Sequence, residues 1–200
     1  MGPPDERPLI VGATYLSMQL RTTDRDATLS ALEAIATAHA GASLQFYVAE
    51  PVGGWLALFP NFTPELEASA KALSASLGCL VVLLLSADED ELYCMFFRGG
   101  KQLPWFKVGA PRKRRGKERD KLAAKIEALA EVCDAESRAR LVAILADPTE
   151  VMFSSDLLRA VCDIVGIRHA FSSFEYLHRG DRTGLEPPVE LTLVPRPRPL

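Results

Sequence analysis

Polar and apolar residues alternate from Ala13 to Arg21, where Tyr15, Ser17 and Gln19 interleave with Leu16, Met18 and Leu20. A period of two predicts a half-buried β-strand. The period then lengthens. Leu29, Leu32, Ile35, Ala36 and His39 share one helical face, Thr23 and Asp26 form a capping-box pair at its start, and Gly41 ends it. His39, at the end of this helix, reads as a partner for its free carbonyls. Strands are predicted again at Leu44–Ala49 and Trp55–Phe59, joined through Pro51-Val52-Gly53-Gly54 as a hairpin. Thr63 and Pro64 mark the start of a second helix, with Leu66, Ala70, Leu73 and Leu77 on one face and Gly78 as its stop. Cys79–Leu85 is apolar at every position, as a strand covered on both faces must be. Leu92–Arg98, the Gly99-Gly100 turn and Lys101–Val108 form another hairpin, and Pro104 puts its last strand at a sheet edge.

The order β-α-β-β-α-β followed by a hairpin predicts an α+β protein. It is a ferredoxin-like βαββαβ sheet extended by a β-hairpin to about six strands, with both helices on one face, followed by a small helical region. The chain divides into a ferredoxin-like α/β domain over 1–109, a helical region over 110–185 and a Pro-rich tail over 186–200. In the helical region Leu122, Ile126, Leu129 and Cys133 mark one amphipathic helix. Leu141, Ile144 and Leu145 mark a second, broken by Asp147-Pro148. A third runs from Ser154 or Ser155 to Gly166, and Ser172 or Ser173 caps a short fourth with Phe174, Tyr176 and Leu177. Val189–Val194 alternates enough to add one more strand.

Three segments carry a resemblance: Arg21-Thr22-Thr23-Asp24-Arg25, Gly53-Gly54-Trp55-Leu56-Ala57-Leu58-Phe59-Pro60, and Ile167 to Leu177. Together they resemble a family of uncharacterised bacterial proteins with an α/β N-terminal half and a helical C-terminal half, over roughly Thr14 to Gly180. The resemblance implies that architecture and no activity. Members of the family often carry a cysteine-proline-aromatic stretch after the last hairpin strand. Here Val108 to Lys117 takes that place and is basic.

Composition narrows the setting. At 48% hydrophobic and 24% charged residues, the chain has the means to bury a core. A net charge of −3 predicts no general attraction to nucleic acid or anionic membrane. The longest apolar run, Cys79–Leu85, is too short to span a bilayer, so no membrane partner is expected. The start of the chain lacks a secretory pattern, and Cys79, Cys94, Cys133 and Cys162 form no CxxC pair. Four reduced, core-forming cysteines in a cytoplasm are the expectation.

Charge is uneven within that total. Residues 112–125 hold eight basic and two acidic side chains, net +6, against −9 for the rest of the chain. Arg112, Lys113, Arg114 and Arg115 open this run, and no aromatic residue interleaves it. Trp105 and Phe106, beside Pro104 on the edge strand, are candidate anchors for a partner. No phosphate loop, dinucleotide fingerprint or nucleophile elbow occurs, so no catalytic residue, metal ligand or cofactor is assigned. His169, Glu175 and His178 are the first suspects for acid-base chemistry.

Three readings remain open. The first is a non-enzymatic interaction or regulatory module of a bacterial cytosolic protein, with a protein partner or a second copy of itself. The second is nucleic-acid binding through 112–125, read by salt-dependent charge neutralisation. The third is an enzyme of unrecognised type, with a pocket between sheet and helical region.

Overall fold

The computed structural model describes residues 14–38, 44–87, 90–109, 113–148 and 154–195. Its elements follow the order β1 (Tyr15–Leu20), α1 (Arg25–Ala38), β2 (Phe46–Ala49), β3 (Leu56–Pro60), α2 (Leu66–Leu77), β4 (Val81–Ala87), β5 (Glu91–Arg98), β6 (Lys101–Gln102), β7 (Phe106–Val108), α3 (Lys117–Ile126), α4 (Ala135–Ala146), α5 (Ser154–Val165), α6 (Phe174–His178) and β8 (Leu191–Val194). The protein is α+β. One antiparallel sheet of eight strands runs β6-β5-β4-β1-β3-β2-β8, with β7 also paired to β5. The six strands expected in the first half become seven, and the strand expected over Val189–Val194 forms as the eighth. The 101–108 strand is broken at Pro104, which has no N–H for the ladder, and 191–194 pairs with β2.

The sheet is covered on both faces, and strand alternation decides which residue meets which layer. Leu16, Met18 and Leu20 of β1 face α1 and α2, packing with Leu32, Ile35, Ala70 and Leu73. On the other face Val82, Leu84, Cys94 and Phe96 pack against Leu122, Ile126, Leu145, Leu158 and Val161 of α3–α5. That is why β4 is apolar at successive positions. Beyond them, Ala57 and Phe59 of β3 pack under Leu177 and Leu185.

The polar row of β1 corrects the half-buried reading. Ser17 and Gln19 are fully buried, because the segment after α5 crosses over them. The Gln19 Nε2 donates to Ser17 Oγ at 3.0 Å and to the carbonyl oxygen of His169 at 2.7 Å. Buried polar groups persist where such partners exist.

Both tight turns follow the glycines. Gly53 and Gly54 take φ of +62° and +79° between the mutually bonded Val52 and Trp55, the primed geometry that suits a hairpin's twist. The helix starts differ from expectation. Asp24, not Thr23, caps α1, its Oδ1 accepting from Ala27 N at 2.9 Å. Thr63 does not cap α2; its buried hydroxyl has no partner, and the helix begins at Leu66. The helix expected to reach Cys133 ends at Ile126 and tightens into a 3-10 turn over Glu127–Leu129. His39 and Gly41 lie outside the described residues.

Candidate functional site

The β5–β7 edge and α3 form one exposed surface. Its shape comes from a bulge. On β5, Cys94 pairs with Phe106 and Phe97 with Gln102, so Met95 and Phe96 stand opposite three residues, Leu103, Pro104 and Trp105. The extra residue shifts the phase. Leu103 and Phe106, three apart, both turn toward the α3–α5 core. Trp105 is left outward at 41% exposure, one of two exposed large apolar side chains among the described residues. Bulges at sheet edges re-aim side chains in this way. The Lys125 Nζ of α3 lies 5.6 Å from the Trp105 ring centroid, within reach of its electron-rich face.

Helical spacing extends this contact. Lys117, Lys121 and Lys125 stand four residues apart along one side of α3, and the neighbouring face, about 100° round the helix, buries Leu122 and Ile126. The basic run is thus divided by the fold. Arg114 turns inward: its backbone N–H donates to the Ala146 carbonyl at 2.6 Å and its Nη1 to Leu145 at 2.7 Å. These bonds satisfy carbonyls that the end of α4 leaves open. Lys113 pairs with Asp147, and Arg115 is exposed.

Of the candidate residues, Trp105 meets Lys125 of the α3 lysine stripe on this surface. Phe106 does not belong to it: at 2% exposure, 5.8 Å from the Phe96 ring, it is core and cannot anchor a partner. Arg112 lies outside the described residues. On the other side of the edge, Lys107 Nζ sits 2.5 Å from Glu91 Oε1, and Tyr93 Oη donates to Glu91 Oε2 at 2.5 Å. The bond from Lys107, then that from Tyr93, holds the Glu91 carboxyl below its usual range, and Glu91 in turn raises the Lys107 ammonium.

The acid-base suspects have separate partners. The His169 Nε2 donates to the Pro187 carbonyl at 3.1 Å. His178 stacks on Phe174 at 5.6 Å, its Nδ1 3.4 Å from Tyr47 Oη, and Glu175 is exposed. None of the three lines the cavities beside α5, whose walls come instead from Tyr15, Arg159, Phe171 and Thr183 among others. Sequence reasoning missed these wall residues because they lie far apart in the chain and form no motif.

Burial raises the thiols of Cys94 and Cys162, in β5 and α5, well above the ordinary cysteine range; Cys133 is also buried and Cys79 half-buried. Among the described residues no His, Cys, Asp and Glu side chains cluster as metal ligands, and no helix is long and apolar enough to cross a membrane. No protein-family model, no curated protein and no solved structure matches the chain.

Proposed function

We propose that the chain is a non-enzymatic binding module that docks an acidic protein segment on Trp105 and the lysine stripe of α3. The observation that carries this reading is the Lys125–Trp105 contact at 5.6 Å on a surface-exposed edge bulge. An exposed indole is a common interface anchor, and Lys117 and Lys121 add positive charge along the same line. The four unpaired thiols support a reducing compartment such as a bacterial cytosol. The β4-β1-β3-β2 order, with α1 and α2 on one face, supports the ferredoxin-like reading of the first half. That plan hosts many unrelated functions, so the docking surface and not the fold carries the proposal.

Single-stranded nucleic acid is the second reading, favoured by one observation. The basic run has no aromatic residue in sequence, yet the fold sets Trp105 beside it, and bases stack on such rings between cationic side chains. The indole N–H resonance of Trp105 separates the two readings. It is distinct in kind from Trp55, whose Nε1 donates to the Val165 carbonyl at 3.3 Å inside the core. Titration with an aspartate- and glutamate-rich peptide is expected to shift the Trp105 signal saturably and to lose affinity in Trp105→Ala and in Lys121→Ala/Lys125→Ala. A shift by oligo-dT or oligo-U but not by the peptide transfers the surface to nucleic acid. No saturable shift by either removes both readings.

A further inference from the structure

We infer that the seam between β1, α5 and the segment 171–184 is a binding site for a small zwitterion with an apolar side chain, of amino-acid size. This inference is independent of the docking surface. A cavity of about 390 Å³ opens there, within the size range of small-molecule sites. A neighbouring chamber of about 340 Å³ shares Arg159, Phe171 and Thr183 with it.

One wall is aromatic. The Tyr15 ring lies 5.7 Å from Phe171 and 6.2 Å from Tyr176, both edge-on. The Arg159 guanidinium is held 4.5 Å over the Phe171 ring. It has no ion pair or hydrogen bond among the described residues, so its exposed planar fork of donors is oriented by the stack and open to a ligand. Asp181 lines the same cavity. Its Oδ1 accepts from Thr183 N at 3.0 Å and Thr183 Oγ1 at 2.8 Å, which fixes the carboxylate and leaves Oδ2 without a partner among the described residues.

Arg159 and Asp181 line the same cavity without forming a salt bridge to each other. This pair selects the ligand by charge. A simple anion would satisfy Arg159 and be repelled by Asp181; a simple cation would meet the reverse. A carboxylate and an ammonium on one carbon meet both, and the aromatic wall accepts the apolar side chain. Gly184 closes the cavity: a Cβ there would collide with the Phe171 carbonyl, so the two backbone segments meet only because the residue is glycine.

Isothermal titration of the full chain with L-phenylalanine tests this, with 3-phenylpropionate lacking the amine and 2-phenylethylamine lacking the carboxylate as matched controls. Saturable binding is expected for phenylalanine, and about tenfold or weaker affinity for each control, the scale of one lost charge-assisted interaction. Arg159→Met, which keeps an apolar group over Phe171, and Asp181→Asn, which keeps the Thr183 bonds, are each expected to weaken binding about tenfold or more. Circular dichroism confirms that both variants fold. Equal affinity for 3-phenylpropionate, no saturable heat with phenylalanine, or unchanged binding in both folded variants overturns the inference.

Discussion

His169 is the residue whose charge folding opposes. Burial pushes its imidazole below the ordinary pKa of 6.5, and the bond to the Pro187 carbonyl only partly offsets this. The folded chain therefore takes up the proton less readily than the unfolded chain. Its contribution to stability is complete above the unfolded pKa, near neutrality, and is lost as pH falls through the lowered folded value. Urea midpoints measured from pH 7.5 down to 5 are expected to fall, and His169→Gln to flatten that fall; an identical slope in the variant rules out this assignment. The carboxylates of Asp134 and Asp181, held low chiefly by bonds from Ser137 and Thr183, act in a separate and more acidic window. Cysteines give a second prediction at this scale. Cys94 and Cys162 carry thiols raised by burial, so little reactive thiolate exists near neutral pH and reagents have no path to it. Brief iodoacetamide treatment at pH 8 is expected to modify half-buried Cys79 first and to reach Cys94 and Cys162 only after unfolding, as read by peptide mass spectrometry; labelling of Cys94 in the native protein would contradict its place in the core. The core role of Cys94, Cys133 and Cys162 was legible from their apolar surroundings, whereas Cys79, expected in the core too, is only half-buried. The burial of Gln19 was not, because its acceptor, the His169 carbonyl, lies 150 residues away and only the closed fold brings it near.

Element identities were legible where a single period dominates: the alternation of β1 and the strongly amphipathic α5 form as their patterns require, and the apolar run expected over Cys79–Leu85 forms β4 two residues later, over Val81–Ala87 with Ser86 buried in it. Boundaries were less so, because caps depend on backbone angles as well as residue type. Thr23 and Asp24 are both good N-cap residues, and the geometry chooses Asp24. The break of the last hairpin strand was half legible. Pro104 announced an edge, but the register shift that turns Trp105 outward and Phe106 inward follows from an extra residue that alternation cannot foresee. The glycine turns, by contrast, were read correctly, and they yield an element-scale prediction. Gly54 holds φ at +79°, and a Cβ there would press on the Arg21 guanidinium that donates to the Gly53 carbonyl at 3.0 Å. Gly54→Ala is expected to lower unfolding free energy by about 1–2 kcal/mol, the cost of forcing a non-glycine residue into the left-handed region. Denaturant titration checks it, and no loss of stability would mean the turn relaxes to another type.

At the scale of the whole molecule, residues before and after position 110 share one apolar cluster. Val82, Leu84, Cys94, Phe96 and Phe106 of the sheet are buried together with Leu122, Leu145, Leu158 and Cys162 of the helices. Sequence patterning identified both sets separately. Their mutual burial was not legible, since an amphipathic helix records that it needs a cover and not which surface provides it. The candidate docking surface has the same origin: Trp105 and Lys125 are twenty positions apart and meet only because α3 lies against the β5–β7 end of the sheet. A shared core makes the two parts thermodynamically dependent. Removing the helices would strip cover from the β4 and β5 side chains, an apolar face too large to leave in water. Leu158 tests this dependence, because it is fully buried in α5 and belongs to the shared cluster. Leu158→Ala is expected to destabilise the protein by about 2–5 kcal/mol through lost burial and a residual cavity. If the two parts unfold as one unit, far-ultraviolet ellipticity and the near-ultraviolet signal of Trp55, which bonds to Val165 at the end of α5, shift together in the variant. Separate midpoints for helix and sheet, with only the helical transition moved by Leu158→Ala, would show instead that the sheet half folds on its own.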